Sequence, residues 1–374
     1  MNLIRVLIVE ESSLIRRKLT AILGSNPELN VVAAVATGRL ALANLHDLVP
    51  DVVLVDVSPA EREGLKTLAS LRNASPDIPI IVFSQLTDRG SQTTVDAMLL
   101  GATDYVTKPE AASELDRCVQ FELTAKIKSL ATPRQAAPLG TVATTHANQQ
   151  QSSPRLNVNM PEKFAIPTRS ASSTRTAEIV AIATSTGGPN ALASLLSSLP
   201  STFATPIVIV QHMPAGFTTK LAESLRRQTG RNIQEANSIQ PLSAAPVWLA
   251  PGGRHLVIRR DGMQLQVEPN DGPPENGCTP SADVLFRSVV EHFGSRCLAI
   301  ILTGMGCDGL AGSRIVRQSG GQVLAQDEAS SVAWGMPGQV VTAGLADEVF
   351  PLADMAYEIH RRTNQLRLNR TGMQ

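Results

Sequence analysis

Aromatic residues are scarce in this chain, and their scarcity limits what its hydrophobic cores can contain. Only 3% of the 374 residues are Phe, Trp or Tyr, although 43% are hydrophobic. The cores must therefore be built from Val, Ile, Leu and Ala, which suits buried parallel strands covered by helices. A hydrophobic content this high also excludes global disorder.

Cysteine is rarer still, and the four residues are Cys118, Cys278, Cys297 and Cys307. No two of them form a C-x-x-C pair, so the sequence indicates neither a zinc ribbon nor a redox motif. We expect reduced thiols, as in a cytosolic protein. The first residues also lack the apolar core of a signal peptide, which supports a cytoplasmic location.

Net charge and long apolar runs are missing as well. Lys and Arg number 33, and Asp and Glu number 33, so the formal net charge is zero. A neutral chain lacks the basic surface of a nucleic-acid-binding protein. No apolar stretch approaches the roughly 20 residues of a membrane helix. We therefore expect no nucleic-acid partner and no membrane insertion.

Two regions of alternating strand and helix patterns are separated by a stretch of different composition. Residues 1–124 carry five β-branched runs with amphipathic stretches between them, which predicts a doubly wound parallel sheet. Between 125 and 176, Pro, Ser, Thr, Gln and Ala dominate without apolar periodicity, which indicates a flexible linker. The alternation returns over 177–367 and predicts a second α/β domain, followed by a tail at 368–374.

Polar side chains follow four strands of the first predicted sheet, and these residues are Glu10, Glu11, Asp56, Ser84 and Lys108. In a doubly wound parallel sheet such positions share the carboxyl edge, where ligands bind. Three carboxylates, a hydroxyl and an ammonium group at one edge could hold a phosphoryl group and a divalent cation. Oxygen ligands suit Mg²⁺. The alternative is that each side chain simply faces water at its strand end.

In their order and spacing, these five residues resemble the receiver domain of bacterial response regulators. The resemblance implies a flavodoxin-like fold and phosphorylation of Asp56 by a chemotaxis histidine kinase. It also implies a Mg²⁺ ion held by Glu11 and Asp56, with Glu10 beside it. Ser84 and Lys108 would contact the phosphoryl group.

The chain departs from the receiver pattern in two places. Receivers carry at least one Asp in the acidic pair, whereas both residues here are Glu, which is longer by a methylene group. The loop after Asp56 reads V-S-P-A at 57–60, with its proline one place early. The residues therefore leave the phosphorylation of Asp56 open. Tyr105 falls where receivers often have a switch aromatic, and the alternative is a core role.

A second group of candidate residues begins with a serine in a tight turn. The run A-T-S-T-G-G-P at 183–189 follows a predicted buried strand and opens a helix. The two glycines permit a tight turn, and Pro189 suits a first helical turn. Ser185 would then stand above the sheet edge like the serine of a nucleophile elbow, although G-x-S-x-G is incomplete. A phosphate cradle or a plain helix cap is the alternative.

His212 and Asp308 follow two further predicted strands. His212 ends the run at 207–211, where its ring could reach Ser185 as a general base. Asp308 lies in a glycine-rich turn after 298–302 and could orient His212. The chain order Ser, His, Asp is unusual, but geometry rather than order defines a triad. A structural histidine and an Asx turn are the alternatives.

Longer motifs around these residues carry a second resemblance. S-T-G-G-P, Q-H-M-P-x-G-F, A-P-G-x-R-H, P-S-x-D-V-L-F, I-L-T-G-M-G-x-D-G and G-M-P occur in this order. They resemble the chemotaxis protein-glutamate methylesterases over residues 178–350. A receiver, a linker and this Rossmann-like domain together match the architecture of that family.

The resemblance implies a serine hydrolase that needs no cofactor for catalysis. It would demethylate glutamyl γ-methyl esters of methyl-accepting chemoreceptors, release methanol, and deamidate receptor glutamines. Ser185 would attack, His212 would shuttle the proton, and Asp308 would orient His212. Backbone N–H groups near Thr186 and Met305 are candidate oxyanion donors.

Two other functions stay open at this point. A regulatory docking protein would keep an unphosphorylated receiver and have weak or no esterase activity, but the intact Ser185, His212 and Asp308 argue against it. A transcription-factor-like regulator would need a basic recognition helix, which the neutral charge does not favour. These motifs specify neither the receptors nor the kinase. They also do not distinguish a pathway that controls flagella from one that controls pilus-based motility.

Overall fold

Two parallel sheets flanked by helices dominate the computed structural model, which describes residues 3–57, 63–85, 88–109, 114–131 and 176–364. Both sheets confirm the predicted α/β class. The predicted linker, beyond residue 131, and the tail predicted at 368–374 lie outside the described residues.

The first domain alternates strands and helices as its apolar periodicity predicts. Its elements are Ile4–Val9 (β1), Ser13–Gly24 (α1), Leu29–Val35 (β2), Gly38–Leu48 (α2), Val52–Asp56 (β3), Glu63–Ala74 (α3), Ile80–Gln85 (β4), Asp88–Leu99 (α4), Asp104–Lys108 (β5), Leu115–Cys118 (α5) and Thr124–Leu130 (α6). All neighbouring strands are parallel, in the order β2-β1-β3-β4-β5. This order is that of a flavodoxin-like fold and places the functional edge at the carboxyl ends of the strands.

The last helical segment of the first domain continues past the predicted boundary. A π-helical turn at Val119–Leu123 joins α5 to α6. Ile127 and Leu130 are buried against the first sheet. Residues 125–130 therefore belong to this domain, although composition assigned them to the linker. The apolar residues are spaced among Lys, Ser and Ala, which hides the helical periodicity.

The second domain is larger and carries an additional small sheet. Its elements are Ile179–Thr184 (β6), Gly188–Ser198 (α7), Ile207–Gln211 (β7), Phe217–Thr229 (α8), Ile233–Glu235 (β8), Gln240–Pro241 (β9), Val247–Leu249 (β10), His255–Asp261 (β11), Gln264–Asn270 (β12), Ala282–Phe293 (α9), Cys297–Ile301 (β13), Leu310–Gln318 (α10), Gln322–Gln326 (β14), Met336–Thr342 (α11), Glu348–Phe350 (β15) and Leu352–Thr363 (α12). Strands β11, β12 and β9 form the small antiparallel sheet.

The main sheet of the second domain has seven parallel strands in the order β15-β14-β13-β6-β7-β10-β8. Strands β13, β6 and β7 are therefore neighbours at its centre. Because parallel strands end at the same edge, the loops after these three strands meet there. Those loops carry Asp308, Ser185 and His212.

One apolar cluster continues from the first domain into the second. It includes Met98 and Tyr105 of the receiver-like domain together with Leu192, Phe217 and Leu221 of the second domain, all of them buried. Apolar burial of this kind stabilises the contact between the domains by roughly 25 cal/mol per Å². Within the described part of the chain, no helix has the length and apolarity to cross a membrane.

Candidate active site

The turn that carries Ser185 is held by its neighbours on the sheet edge. The backbone N–H of Ser185 donates to Thr303 O at 3.1 Å, and Gln211 Nε2 donates to Ser185 O at 3.0 Å. Gly187 has a φ of 77°, a left-handed conformation that favours glycine. A Cβ at Gly188 would collide with the side chain of Gln211. The two glycines predicted for a tight turn are therefore sterically required.

His212 and Asp308 form a direct pair. The Nε2 atom of His212 lies 2.8 Å from Oδ2 of Asp308. Burial by itself would lower the pKa of His212, but its hydrogen bonds with Asp308 and Cys278 raise it to about 9. Burial would raise the pKa of Asp308, but the hydrogen bond and charge of His212 help to lower it to about 2. Asp308 thus stays ionised and favours an imidazolium.

The N-terminus of α9 supports the Asp308 carboxylate. The backbone N–H of Ala282 donates to Asp308 Oδ2 at 2.6 Å, and the Ser281 hydroxyl donates to Oδ1 at 2.7 Å. Helix N-termini favour carboxylates because their first N–H groups lack helical partners. The P-S-x-D-V-L-F motif supplies these donors, but sequence reasoning assigned it no role. His255 acts on the same loop, because its Nδ1 accepts the N–H of Ser281 at 3.1 Å.

Ser185 and His212 line one cavity of about 250 Å³. Because Nε2 of His212 is engaged by Asp308, Nδ1 is the ring nitrogen left to accept a proton. Nδ1 faces the thiol of Cys278 at 3.8 Å. Among the described residues, the Ser185 hydroxyl makes no hydrogen bond to the ring. Such catalytic bonds often tighten only when substrate is bound.

The first domain covers this cavity. Asp104, at the start of β5, accepts a hydrogen bond from the Thr186 hydroxyl at 2.6 Å. The ring of Tyr105 stacks on Phe217 with 5.3 Å between centroids. The Ser129 hydroxyl lies 3.2 Å from Sδ of Met305. Thr186 and Met305, the two residues predicted near the oxyanion site, are thus both contacted by the other domain.

In the first domain, Lys108 lies against two of the carboxylates predicted at the strand ends. Its Nζ lies 2.6 Å from Asp56 Oδ1 and 2.9 Å from Glu10 Oε2. Glu10 is buried, and its other oxygen accepts the N–H of Ser12 at 2.9 Å. Burial raises the pKa of Glu10, and the negative charge of Asp56 raises it further by a smaller amount. Glu10 therefore supports Lys108 in this arrangement and has both oxygens engaged.

Glu11 and Ser84 are the two remaining residues of the predicted pocket. Glu11 and Asp56 line the same cavity of about 330 Å³. Carboxylate oxygens are the type of ligand that Mg²⁺ prefers. The hydroxyl of Ser84 is buried and has no hydrogen-bond partner among the described residues. An unpaired buried hydroxyl is costly, and a phosphoryl oxygen on Asp56 would supply an acceptor.

A receiver-type pocket and a Ser-His-Asp site on two contacting α/β domains are typical of a response regulator whose second domain is a serine hydrolase. A profile described as response regulator receiver domain matches residues 6–120, and one described as CheB methylesterase matches residues 180–359. The chain belongs to the CheB methylesterase family.

Similar proteins extend over nearly the whole chain. A protein-glutamate methylesterase/protein-glutamine glutaminase of Trichodesmium erythraeum is 41% identical, covering 96% of this chain and 98% of the relative. One from a Nocardioides species is also 41% identical, covering 96% of this chain and 95% of the relative. The crystal structure of the Thermotoga maritima CheB methylesterase catalytic domain is 35% identical, with a TM-score of 0.48, covering 49% of this chain and 97% of that one.

Proposed function

We propose that this protein is a protein-glutamate methylesterase and protein-glutamine deamidase that acts on chemoreceptors. The observation that carries the proposal is the His212–Asp308 pair beside Ser185, at the edge where β13, β6 and β7 end. Relatives of nearly equal length bear both activities in their names. The intact site disfavours a docking protein without esterase activity.

We infer the reaction from the chemistry of these three side chains. Oγ of Ser185 attacks the γ-carbonyl carbon while its proton passes to Nδ1 of His212. The imidazolium then gives that proton to the leaving group, which is methanol from an ester or ammonia from an amide. Water attacks the acyl-enzyme by the same route and releases the receptor carboxylate. Asp308 holds the Nε2–H tautomer and stabilises the imidazolium.

The oxyanion of the tetrahedral intermediate needs donors on the Ser185 side of the cavity. We assign this role to backbone N–H groups at Thr186 and Met305, because both residues line that cavity with Ser185. Donors of this kind are worth about 3–4 kcal/mol in the transition state.

Replacement of the nucleophile tests the activity. Ser185→Ala should lower methanol release from methylated receptor membranes by about 10³-fold or more. Ser197→Ala is the matched control, because Ser197 is exposed on α7, the helix that follows the nucleophile turn. Near-normal turnover in Ser185→Ala, with Ser197→Ala unchanged, would exclude Ser185 as the nucleophile.

We further propose that the receiver inhibits the esterase by covering it. Strand β5 connects the two sites, since Lys108 at its end contacts Asp56 while Asp104 and Tyr105 at its start contact Thr186 and Phe217. Phosphorylation of Asp56 by a histidine kinase would give Lys108 a new anionic partner. The receiver would then shift from the docked toward the undocked state. The size of the shift is set by the difference between the free energies with which these two states interact with the phosphoryl group.

A Mg²⁺ ion would be held by Glu11 and Asp56 in this scheme, and it would neutralise charge on the phosphoryl group. Glu10 would keep its bond to Lys108. The cytoplasmic location and the switch role of Tyr105 stay predictions.

A further inference from the structure

A cysteine thiol faces the catalytic imidazole. Sγ of Cys278 lies 3.8 Å from Nδ1 of His212, and the carboxylate of Asp308 lies 2.8 Å from the other ring nitrogen. The sulfur, nitrogen and oxygen atoms that these three residues offer lie within 4.8 Å of one another. The hydrolytic mechanism has no use for this thiol.

The spacing of nitrogen and sulfur fits a tetrahedral metal ion. With Zn–N bonds of about 2.0 Å and Zn–S bonds of about 2.3 Å, the two ligand atoms would stand roughly 3.5 Å apart. The distance between Nδ1 and Sγ is 3.8 Å, so a small side-chain movement suffices. Because Nε2 is engaged by Asp308, the lone pair of Nδ1 is directed to the thiol side of the ring.

Asp308 already stands where a zinc-binding histidine needs support. Metal-ligating histidines almost always donate their second ring N–H to a carboxylate or carbonyl group, which orients the ring and raises its basicity. The Ser281 hydroxyl and the Ala282 N–H hold Asp308 in that position. Cys278 is only partly buried, and the His212 side chain keeps 14% of its surface exposed, so an ion from solution can reach both.

We propose that Nδ1 of His212 and Sγ of Cys278 form a binding site for a thiophilic divalent cation, with Zn²⁺ as the best chemical match. The thiol loses its proton when the ion binds, and the ion takes the Nδ1 lone pair that must accept the Ser185 proton. Occupancy therefore stops ester hydrolysis reversibly. Two protein ligands leave two coordination positions for water.

Cobalt provides a direct test that does not depend on activity. Co²⁺ added to the reduced, metal-free full chain should produce a thiolate-to-cobalt charge-transfer band. Cys278→Ser and Cys278→Ala should both lose the band. Cys307→Ser should retain it, because Cys307 is an exposed thiol next to Asp308 but outside the cluster. A band of equal strength in the Cys278 variants, or none in the parent chain, would overturn the site.

Inhibition by zinc tests the consequence, and this readout rests on the proposed esterase activity. Zn²⁺ should inhibit methanol release by the parent chain and Cys307→Ser, and a chelator should restore it, whereas Mg²⁺ should have no such effect. When each rate is scaled to that variant's own metal-free rate, Cys278→Ser should need at least about ten-fold more Zn²⁺ than the parent chain for the same fractional inhibition. Equal sensitivity would refute inhibition through Cys278. A chain without esterase activity would refute the proposed function instead, while the cobalt band still decides the metal site.

Discussion

Removing the Asp104 carboxylate should activate the enzyme without phosphorylation. Asp104 belongs to the receiver, yet it accepts the hydrogen bond of the Thr186 hydroxyl beside Ser185. A hydrogen bond to a charged group contributes about 1.5–3 kcal/mol. A loss of about 2 kcal/mol would shift the equilibrium between docked and undocked receiver by roughly 30-fold. Asp104→Ala should therefore raise the basal esterase rate by up to that factor.

The esterase rate of a chain without the receiver sets the upper limit of this increase. Deleting residues 1–131 removes every receiver contact to the cavity, including Tyr105 and Ser129. The truncated chain should be faster than the parent on the same receptor membranes, and Asp104→Ala should not exceed it. Asp104→Asn keeps an acceptor for the Thr186 hydroxyl and should give a smaller increase.

The assay is methanol release from methylated receptor membranes by unphosphorylated protein. Asp47→Ala serves as the control, because it removes an exposed receiver carboxylate on α2, a helix that lies away from the cavity. If truncation accelerates the reaction but Asp104→Ala does not, the Thr186 contact does not hold the receiver in place. If truncation slows the reaction, the receiver delivers the enzyme to its receptors and steric inhibition is wrong.

Three further predictions concern titration, phosphorylation and packing. The pKa of His212 is raised to about 9 and the general base must be neutral, so kcat/KM should increase with pH up to about that value. Asp308→Asn should move this increase to lower pH and reduce the maximal rate by about 10⁴-fold. An unchanged pH profile in Asp308→Asn would contradict the role of Asp308 as the partner of His212. Replacing Glu10 and Glu11 by Asp should speed phosphoryl uptake from acetyl phosphate, and an unchanged rate would show that side-chain length is not limiting. Gly188→Ala should lower the free energy of unfolding by about 1–3 kcal/mol in urea titrations, because its methyl group meets Gln211; unaltered stability would mean that the turn relaxes freely.

The sequence by itself determined the class of both domains and the positions of the chemistry. Val, Ile, Leu and Ala runs alternating with amphipathic stretches require parallel strands covered by helices, and both sheets have that form. Ser185, His212 and Asp308 each follow a central strand, and strand ends are a local property of the apolar pattern. The two glycines after Ser185 predict a tight turn for the same reason, because such a turn depends on the local backbone conformation.

Only the tertiary structure decided which of these positions meet. The order β13-β6-β7 brings the three loops together, and strand order depends on pairings between segments far apart in the chain. The support of Asp308 by Ser281 and the approach of Cys278 to His212 arise from a loop that has no periodic pattern. The contact between Asp104 and Thr186 joins two domains. Each of these contacts joins segments that lie far apart in the chain, so no local sequence signal specifies it.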